Sequence, residues 1–469
     1  MAEAPEPVAA LARLAPRAWL VGGAVRDHVL ARPTEDFDVV VDAPVRDVAR
    51  GLGRAAGGFV FELSHSFGAW RVVARDRSWQ IDLTPLEAGT IEDDLAKRDL
   101  TINAIAEPLS GGDRVDPFGG VEDLRARRLR AVSTVAFRSD PLRVMRVARI
   151  ACELAFEVEP DTLALARHAS AALSTVAAER VFAELRRVIC APAALTGLEL
   201  METVGATEVV LPELAALRGV QQSRFHHLDV LDHTLLALQE AIALVDAPER
   251  LAGAAGAELA AHLSQPLADE LTRGQALRFG ALLHDIAKPI TRDVSEEGRV
   301  TFRGHDQLGA ELCSTILGRL RASERLIEHV AALTRHHLRL GFMVRDMPLD
   351  RRAVYGYLRA TAPVAVDVTA LSVADRLATR GDNSQLAIER HLQLARQLAA
   401  EGLAWMADPP RPPVRGDELA QALSLSPGPV IGELLSELEA ASFAGELTGP
   451  AEAIERARSL LASGHAVPR

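Results

Sequence analysis

Two aspartates two residues apart, Asp36 and Asp38, lie in the apolar run DFDVVV. Alternate side chains of a β-strand point to opposite faces, so a strand here places both carboxylates on one face and Phe37 on the other. Neighbouring carboxylates repel each other unless a cation lies between them. Carboxylates that share a metal with substrate phosphates suit Mg²⁺. The spacing therefore predicts a magnesium site, and solvated acids at a strand edge are the alternative interpretation.

A third carboxylate, Asp82 in the run QIDLTP, could complete a two-metal site. Such a site activates a 3′-hydroxyl and stabilises a leaving pyrophosphate. Gly22 and Gly23 end a short apolar strand and open a predicted helix, whose first N–H groups can bind phosphate. Arg26 follows one turn into that helix. Glycines, arginine and paired carboxylates within 17 residues are together more specific than any one of them.

Arginine is concentrated in one segment of an acidic chain. The 469 residues carry a formal net charge of −12, yet eight arginines and one acid lie between Leu124 and Arg149. This distribution predicts a contact with phosphate, and a solvated helix face is the alternative.

Composition indicates a globular protein of several domains. Hydrophobic residues make up 48% of the chain and charged residues 25%, so sizeable cores can be buried. No apolar run reaches the roughly 18 to 20 residues of a membrane span, and the acidic, proline-containing start is unlike a secretory signal. Cys152, Cys190 and Cys313 are odd in number and widely spaced, which argues against a disulfide framework. We therefore predict a cytoplasmic location and no membrane partner.

Strand-like and helix-like patterns mix only in the N-terminal part of the chain. AWLV, DFDVVV, WRVVARD and SWQIDLTP predict strands, and AVRDHVLA predicts a helix. From Asp140 onward the pattern is helical, apart from a stiff linker at Pro409–Pro413. The predicted fold class is α+β, with a small mixed-sheet head over 1–135, an all-α neck over 136–218, a histidine-rich helical domain over 219–385 and a helical tail over 386–469.

The histidine-rich region contains an ordered series of possible metal ligands. His284 and Asp285 are adjacent in LLHDIAKP, and the other candidates are His233, His305, His336, His337 and Asp375. Imidazole with carboxylate suits transition-type divalent metals. One helical histidine is more often an ordinary core or surface residue, but the series predicts a metal centre.

Five motifs in order resemble the class II CCA tRNA nucleotidyltransferase and bacterial poly(A) polymerase family. They are LVGGAVRD, EDFDVVV, KRDLTINA, DPFGG and DPLRVMRVAR, within residues 17 to 217. The resemblance implies template-independent addition of nucleotides from CTP and ATP to an RNA 3′ end, with the CCA end of tRNA as the leading substrate. Poly(A) polymerases and enzymes that add only CC or only A remain alternatives. The sequence does not indicate the oligomeric state.

The same resemblance implies roles for individual residues. Asp36 and Asp38 would hold catalytic Mg²⁺, with Asp82 as the third carboxylate. The nucleotide would be bound by nine residues, namely Gly22, Gly23, Arg26, Arg98, Asp99, Asn103, Asp140, Arg143 and Arg146. Asp140 and Arg143 match the pair that reads the incoming base, since a carboxylate accepts from the amino group of C or A while arginine donates to a ring acceptor.

Three features complicate that assignment. Asp140 precedes Pro141, so a helix N-cap is its alternative role. The family often has an acid where this chain has Ser139. Only 15 residues separate Asp82 from Arg98, so the connection between them is short. The last two features bear on the switch from C to A addition.

Residues about 225 to 380 resemble the HD phosphohydrolase domain. The resemblance implies His233, His284, Asp285 and Asp375 around one divalent metal such as Mn²⁺, Ni²⁺ or Mg²⁺, His305 and His336 around a second, and Lys288 facing the scissile phosphate. Metal-bound water would attack a phosphate ester. A purely structural HD domain is one alternative, and an HD phosphohydrolase with a non-catalytic head is another. The tail resembles the C-terminal segment of such enzymes, where RNA binding and simple packing are both open.

Overall fold

The computed structural model describes residues 6–65, 67–87, 89–222, 228–379 and 384–463, so both predicted ends of the HD-like region, near 225 and 380, lie outside the described residues. The chain divides into two compact units, Met1–Val210 and Leu211–Arg469. The predicted α+β class is confirmed, because the first unit contains one mixed sheet and helices dominate the second.

Six strands form the sheet of the first unit in the order β3-β4-β5-β2-β1-β6. The strands are β1 Ala18–Val21, β2 Asp36–Val41, β3 Phe59–Ser64, β4 Ala69–Val73, β5 Gln80–Pro85 and β6 Ala106–Pro108. β2 and β5 are parallel, and the other neighbours are antiparallel. Three small pairs use β7 Arg128–Leu129, β8 Glu157–Val158, β9 Pro266–Ala268, β10 Leu271–Thr272, β11 Arg292–Val294 and β12 Val300–Phe302.

Helices account for most of the remaining structure. The first unit contains α1 Glu6–Leu14, α2 Gly23–Val29, α3 Val45–Ala56, α4 Ile91–Leu95, α5 Gly120–Arg125, α6 Ala136–Ser139, α7 Arg143–Leu154, α8 Pro160–Ala169, α9 Ala178–Cys190, α10 Ala194–Thr203 and α11 Ala206–Val210. The second contains α12 Pro212–Ala215, α13 Val230–Asp246, α14 Glu249–Ala252, α15 Gly256–Leu263, α16 Arg273–Leu283, α17 Lys288–Thr291, α18 His305–Arg319, α19 Glu324–His336, α20 Arg339–Met343, α21 Arg351–Thr361, α22 Ala365–Ala378, α23 Ser384–Ala407, α24 Gly416–Leu423, α25 Pro429–Phe443 and α26 Pro450–Ala462. Within the ranges described, none of these helices is long and apolar enough to cross a membrane.

The prediction of helix alone after Asp140 is wrong in detail. The strand β8 and the hairpins β9–β10 and β11–β12 interrupt the helical region. Their strands are two or three residues long, which is too short for an alternating pattern to be recognised. The strand β3 and the helix α3 are further elements that the sequence analysis does not predict. The proline-rich segment 409–413 does separate α23 from α24 without helix or strand.

One face of the sheet is covered, and the opposite face is open around Asp36 and Asp38 but buried at Val21 and Val40. Val72 and Ile81 are fully buried and Phe37 nearly so, and α3 packs against these central strands. Asp36 and Asp38 alternate with Phe37 along β2 and are therefore exposed on the opposite face. The period of two along β2 directs both carboxylates away from the core, as the sequence predicts.

Candidate active site and metal centre

One cavity of about 510 Å³ in the first unit collects most of the predicted head and neck residues. All of them except Asp82 line its wall, namely Gly22, Gly23, Arg26, Asp36, Asp38, Arg98, Asp99, Asn103, Asp140, Arg143 and Arg146. These side chains come from strands, loops and helices that are far apart in the chain. The fold therefore brings two carboxylates and several guanidinium groups to one concave surface.

The carboxylates at the cavity differ in their surroundings. Asp36 accepts a 3.0 Å hydrogen bond from the Nε2 of Gln80. Asp38 borders the open cavity but is closely surrounded by protein atoms, and this desolvation raises its pKa to about 6. The positive charge of Arg98 opposes that increase, whereas Asp36 and Asp82 add to it. A carboxylate with a raised pKa beside two others is an electrostatic arrangement that a divalent cation relieves.

Gly22 is the position at which only glycine fits. Its φ of +70° is rarely adopted by residues with a side chain. A Cβ atom there would lie 2.9 Å from Nη1 of Arg98 and 3.2 Å from Oδ2 of Asp38. The missing side chain lets the backbone at the start of α2 lie close to both charged groups.

Asp82 lies beside Asp38 but is engaged elsewhere. The two residues are register partners in the parallel strands β2 and β5. Both oxygens of Asp82 accept bonds from Arg71, at 2.6 Å from Nε and 2.7 Å from Nη2. Among the residues that the structure describes, Asp36, Asp38 and Asp82 do not form a close three-ligand group. Arg71 and Asp82 are register partners in the neighbouring strands β4 and β5, and no motif in the sequence predicts this pairing.

A buried chain of hydrogen bonds connects the cationic groups of the cavity. Asp99 accepts from the backbone N–H of Leu100 at 2.8 Å, from Nδ2 of Asn103 at 3.0 Å and from Nε of Arg146 at 2.6 Å. Asn103 in turn accepts from Nη1 of Arg26 at 3.1 Å. Burial alone would raise the pKa of Asp99, but Arg146 and the hydrogen bonds hold it well below its usual range. The carboxylate is therefore ionised and fixes two arginines relative to each other.

Asp140 and Arg143 already have local partners in this structure. One oxygen of Asp140 accepts from the N–H of Leu142 at 3.2 Å, and the other accepts from Nη2 of Arg180 at 2.9 Å. Arg143 donates to the carbonyl oxygens of Lys97 at 2.6 Å and Ala136 at 3.0 Å. Asp140 thus stabilises the turn that precedes α7 and also lines the cavity, but the N-cap of α7 is Leu142 and not Asp140.

Three further arginines line the cavity, and the sequence analysis does not name them as site residues. Arg149 lies on α7, and Arg180 and Arg187 lie on α9. The motif AAERVFAEL contains Arg180, and the arginine-rich segment contains Arg149, so the sequence carries a signal for two of the three.

The second unit gathers the predicted histidine and aspartate ligands into two adjoining groups. Atoms of His233, His284 and Asp375 lie within 4.8 Å of one another, and so do atoms of Asp285, His305 and His337. Oδ2 of Asp285 is 3.2 Å from Nε2 of His284, and its Oδ1 is 3.3 Å from Nε2 of His305. Asp285 therefore lies between the two groups.

The prediction of His336 as a ligand is wrong in its placement, because the structure brings its neighbour His337 to the cluster. His337 is buried and has ring contacts with His284 and His305 at centroid distances of 5.2 and 5.3 Å. His336 is only half-buried and accepts a hydrogen bond from Arg339. Successive helical residues differ in direction by about 100°, so only one of two adjacent histidines faces a given centre.

The histidines of the cluster have the hydrogen bonding of metal ligands. Nδ1 of His284, His305 and His337 lies 2.6 to 2.8 Å from the carbonyl oxygen of the residue three positions earlier. Each Nδ1 therefore carries the proton and leaves Nε2 as a basic nitrogen. Nε2 of His284 and of His305 is buried without a hydrogen-bond partner. Converging buried acceptors without donors fit a divalent cation.

Charges around the cluster also suit a cation and a phosphate. Burial lowers the pKa of His337 to about 4, so this ring is neutral near pH 7. Nζ of Lys288 lies 2.6 Å from Oδ2 of Asp285 and 2.7 Å from Oε1 of Gln222. The adjoining cavity, of about 830 Å³, is lined by Lys288, Arg303, Arg345 and Arg376, by Asp306, and by Asp285, His305, His337 and Asp375 of the cluster. Four cationic side chains next to a ligand cluster can accommodate an anionic ester.

Three families of known proteins match successive parts of the chain. Residues 18–130 match the poly A polymerase head domain, residues 155–217 match a probable RNA and SrmB-binding site of polymerase A, and residues 256–380 match the HD domain. The Thermotoga maritima CCA-adding enzyme complexed with tRNA shares the fold, with a TM-score of 0.62 at 18% identity, over 97% of this chain and 94% of that one. An apo CCA-adding enzyme gives a TM-score of 0.65 at 19% identity, over 96% and 93%.

Curated relatives extend over nearly the whole chain. The A-adding tRNA nucleotidyltransferase of Deinococcus radiodurans is 37% identical over 446 residues, which cover 93% of this chain and 94% of the relative. The CC-adding tRNA nucleotidyltransferase of Thermus thermophilus is 36% identical over 445 residues, which cover 93% and 92%. The chain therefore belongs to the tRNA nucleotidyltransferase and poly(A) polymerase family, and it is a nucleotidyltransferase with an HD domain.

Proposed function

We propose that the head transfers nucleotides from CTP or ATP to the 3′ end of tRNA, building all or part of the CCA end in the cytoplasm. The cavity that unites Asp36 and Asp38 with Gly22 and a wall of arginines carries this proposal. It combines a metal-binding pair, a backbone open to phosphate and cations for a triphosphate. Buried thiols at Cys152 and Cys313, outside any disulfide, support the cytoplasmic location.

Each part of the cavity has a task in that reaction. Nucleotidyltransferase domains of this kind use divalent metals, and Asp36 and Asp38 would hold Mg²⁺, which supplies activation of the 3′-hydroxyl and stabilisation of pyrophosphate. Gly22 leaves room for the triphosphate. Arg26 and Arg98 contribute charge, and Nε of Arg98 is buried without a hydrogen-bond partner. A direct role for Asp82 as a third ligand would require exchange of its bonds with Arg71.

Base selection is assigned to Asp140 and Arg143, because both line the cavity and, after exchange of their present partners, could pair with the amino group and the ring acceptor of C or A. Replacement of Asp140 with alanine tests this assignment. Altered choice between CTP and ATP with unchanged stability supports base reading. Lower stability with unchanged choice would assign Asp140 to the turn before α7 alone.

An incorporation assay identifies which nucleotides the protein adds. Purified protein, Mg²⁺ and labelled CTP or ATP are incubated with tRNA that ends before CCA, before the final A, or complete. Completion of CCA identifies a full enzyme, whereas addition of only A or only CC would match the Deinococcus or the Thermus relative. Long A tails would identify a poly(A) polymerase. No incorporation by the parent would refute the proposed head activity.

A second activity, metal-dependent hydrolysis of phosphate esters, is supported by the buried Nε2 atoms of the histidine cluster. HD domains generally use divalent metals, and the six residues of the two groups would hold Mn²⁺, Ni²⁺ or Mg²⁺. The metal supplies activation of water, Asp285 holds the groups together and Lys288 offers its charge to the phosphate.

Adjacent histidines provide a matched test of this second activity. His337→Ala is expected to abolish metal-dependent phosphoesterase activity and to weaken Mn²⁺ binding measured by calorimetry. His336→Ala, half-buried and outside the cluster, is expected to retain both. If the two substitutions have equal effects, or if the parent protein has no phosphoesterase activity, the proposed hydrolysis is contradicted and the HD domain has a structural role.

A further inference from the structure

The open face of the head sheet continues from the paired carboxylates to an exposed edge. Strand register places Asp38, Asp82, Arg71 and Phe61 in one row across β2, β5, β4 and β3. The bidentate bond between Arg71 and Asp82 confirms that these side chains share a face. Phe61 is therefore on the same side of the sheet as the catalytic pair.

A second row runs parallel to the first. It contains Asp36, Gln80, Val73 and Phe59, again by strand register. The hydrogen bond from Gln80 to Asp36 confirms the shared face here as well. Val60, between the two phenylalanines, points to the covered face, where its Cγ2 lies against Gly53 of α3. Alternation along β3 thus places both rings on the open face.

The two rings are exposed to an unusual degree for apolar side chains. The exposed fraction is 61% for Phe59 and 45% for Phe61. β3 is the terminal strand of the sheet. Contiguous apolar groups on the surface of a monomer mark a binding surface more often than chance. These two residues are called the aromatic platform below.

The surface between the platform and the carboxylates combines a depression with exposed arginines. A depression of about 400 Å³ is lined by Glu35, Asp36, Val73, Arg77, Trp79 and Gln80. The guanidinium of Arg75 lies 5.9 Å from the centroid of the Phe59 ring. Arg75 and Arg77 are both exposed, so positive charge accompanies the apolar rings. This combination is typical of surfaces that bind single-stranded nucleic acid.

We propose that the aromatic platform stacks the unpaired nucleotides that precede the reacting 3′ end of the RNA. This inference rests on the proposed function of the head. Three strand spacings of about 4.8 Å separate β2 from β3, which gives roughly 14 Å. Bases stacked at about 3.4 Å span that distance in about four nucleotides. Phenyl rings accept any base, and the flanking arginines contact the phosphates between them.

The test measures binding of two RNA acceptor-stem hairpins that differ only in their 3′ end. One hairpin is blunt, and the other carries five unpaired nucleotides. The double variant Phe59→Ala, Phe61→Ala is expected to bind the hairpin with unpaired nucleotides at least about fivefold more weakly than the parent, because stacking of one base is worth that much. Its affinity for the blunt hairpin is expected to be unchanged.

Two further variants separate stacking from simple apolar contact. The double variant Phe59→Trp, Phe61→Trp is expected to retain binding. The double variant Phe59→Leu, Phe61→Leu, which is apolar without a ring, is expected to lose it. A 2-aminopurine base in the unpaired segment reports stacking directly. Its fluorescence is expected to be quenched when the RNA binds the parent and to remain unquenched with the leucine variant. Leu14→Ala is the matched control, since Leu14 is 42% exposed on α1 and contacts Gly51 of α3 on the covered side.

Each contrary outcome has a defined meaning. Equal loss for both hairpins, or full retention by the leucine variant, overturns the stacking proposal. A parent dimer in sedimentation velocity that the alanine variant dissociates would assign the platform to contact between copies of the chain. Unchanged ATP binding shows that the variants remain folded. If the parent protein neither binds nor extends RNA, the proposed function itself is overturned. If the parent is active and the alanine variant binds the hairpin with unpaired nucleotides equally well, only the proposal for the platform is overturned.

Discussion

Replacement of Asp99 with asparagine is expected to damage the head although the two side chains have the same shape. All three partners of this carboxylate are donors, namely the N–H of Leu100, Nδ2 of Asn103 and Nε of Arg146. Leu100 and Asn103 bind one oxygen and Arg146 binds the other. An amide offers one acceptor and one donor, so either orientation of the introduced amide brings an N–H group against another N–H group.

The magnitude follows from burial and charge. Asp99 is only 4% exposed, and the side chain of Arg146 is about one-third exposed. Loss of one partner from a buried ion pair costs about 3 to 5 kcal/mol. Water can reach part of Arg146, so a loss of about 3 kcal/mol in the free energy of unfolding is expected. Arg26 loses its indirect support through Asn103, so weaker ATP and CTP binding is expected as well.

Urea unfolding and calorimetric nucleotide binding measure the two effects. Asp113→Asn, at an exposed position, is the control and is expected to change neither. Arg146→Gln combined with Asp99→Asn is expected to cost less than the sum of the single substitutions, because both remove the same contact. Full additivity, or a loss below about 1 kcal/mol for Asp99→Asn, would refute the assignment of Asp99 as the residue that fixes the arginines.

Three other outcomes are expected. Mg²⁺ should raise the melting temperature of the parent and not that of Asp38→Asn. This rise should shrink as pH falls below about 6, because the raised pKa of Asp38 makes the cation compete with a proton. A rise that stays constant from about pH 5 to 7.5 would contradict this. Burial lowers the pKa of His329 to about 4, whereas an unfolded histidine has a pKa of 6.5. Below pH 6.5 the unfolded chain therefore binds a proton that the folded protein does not, and the free energy of unfolding falls by up to about 3 kcal/mol toward pH 4. His329→Gln should flatten that part of the urea-unfolding pH profile, and an unchanged slope would contradict the reasoning. Gly22→Ala should abolish nucleotide binding in calorimetry while the protein stays folded, because the added Cβ meets Arg98 and Asp38; normal binding would show that the backbone can shift.

Local pattern was sufficient to identify much of the head. A strand period of two predicts that Asp36 and Asp38 share a face, and this needs no knowledge of other elements. The strand, the Gly22-Gly23 turn and the helix that follows are likewise consecutive in the chain, so their arrangement depends on local backbone chemistry. The α+β class also follows from the sequence, because strand signals end before Asp140 and helical signals dominate afterwards.

Tertiary structure decided the pairings between distant segments. Asp82 is bonded to Arg71 because β4 and β5 are in a particular register, and no spacing in the sequence reveals that register. The packing of α19 places His337, and not His336, in the cluster. The two adjacent histidines are equivalent in the sequence, and only the direction in which each side chain leaves the helix distinguishes them. Phe59 and Phe61 resemble core residues of any strand, and only the position of β3 at the edge of the sheet leaves them exposed on the face that carries Asp36 and Asp38.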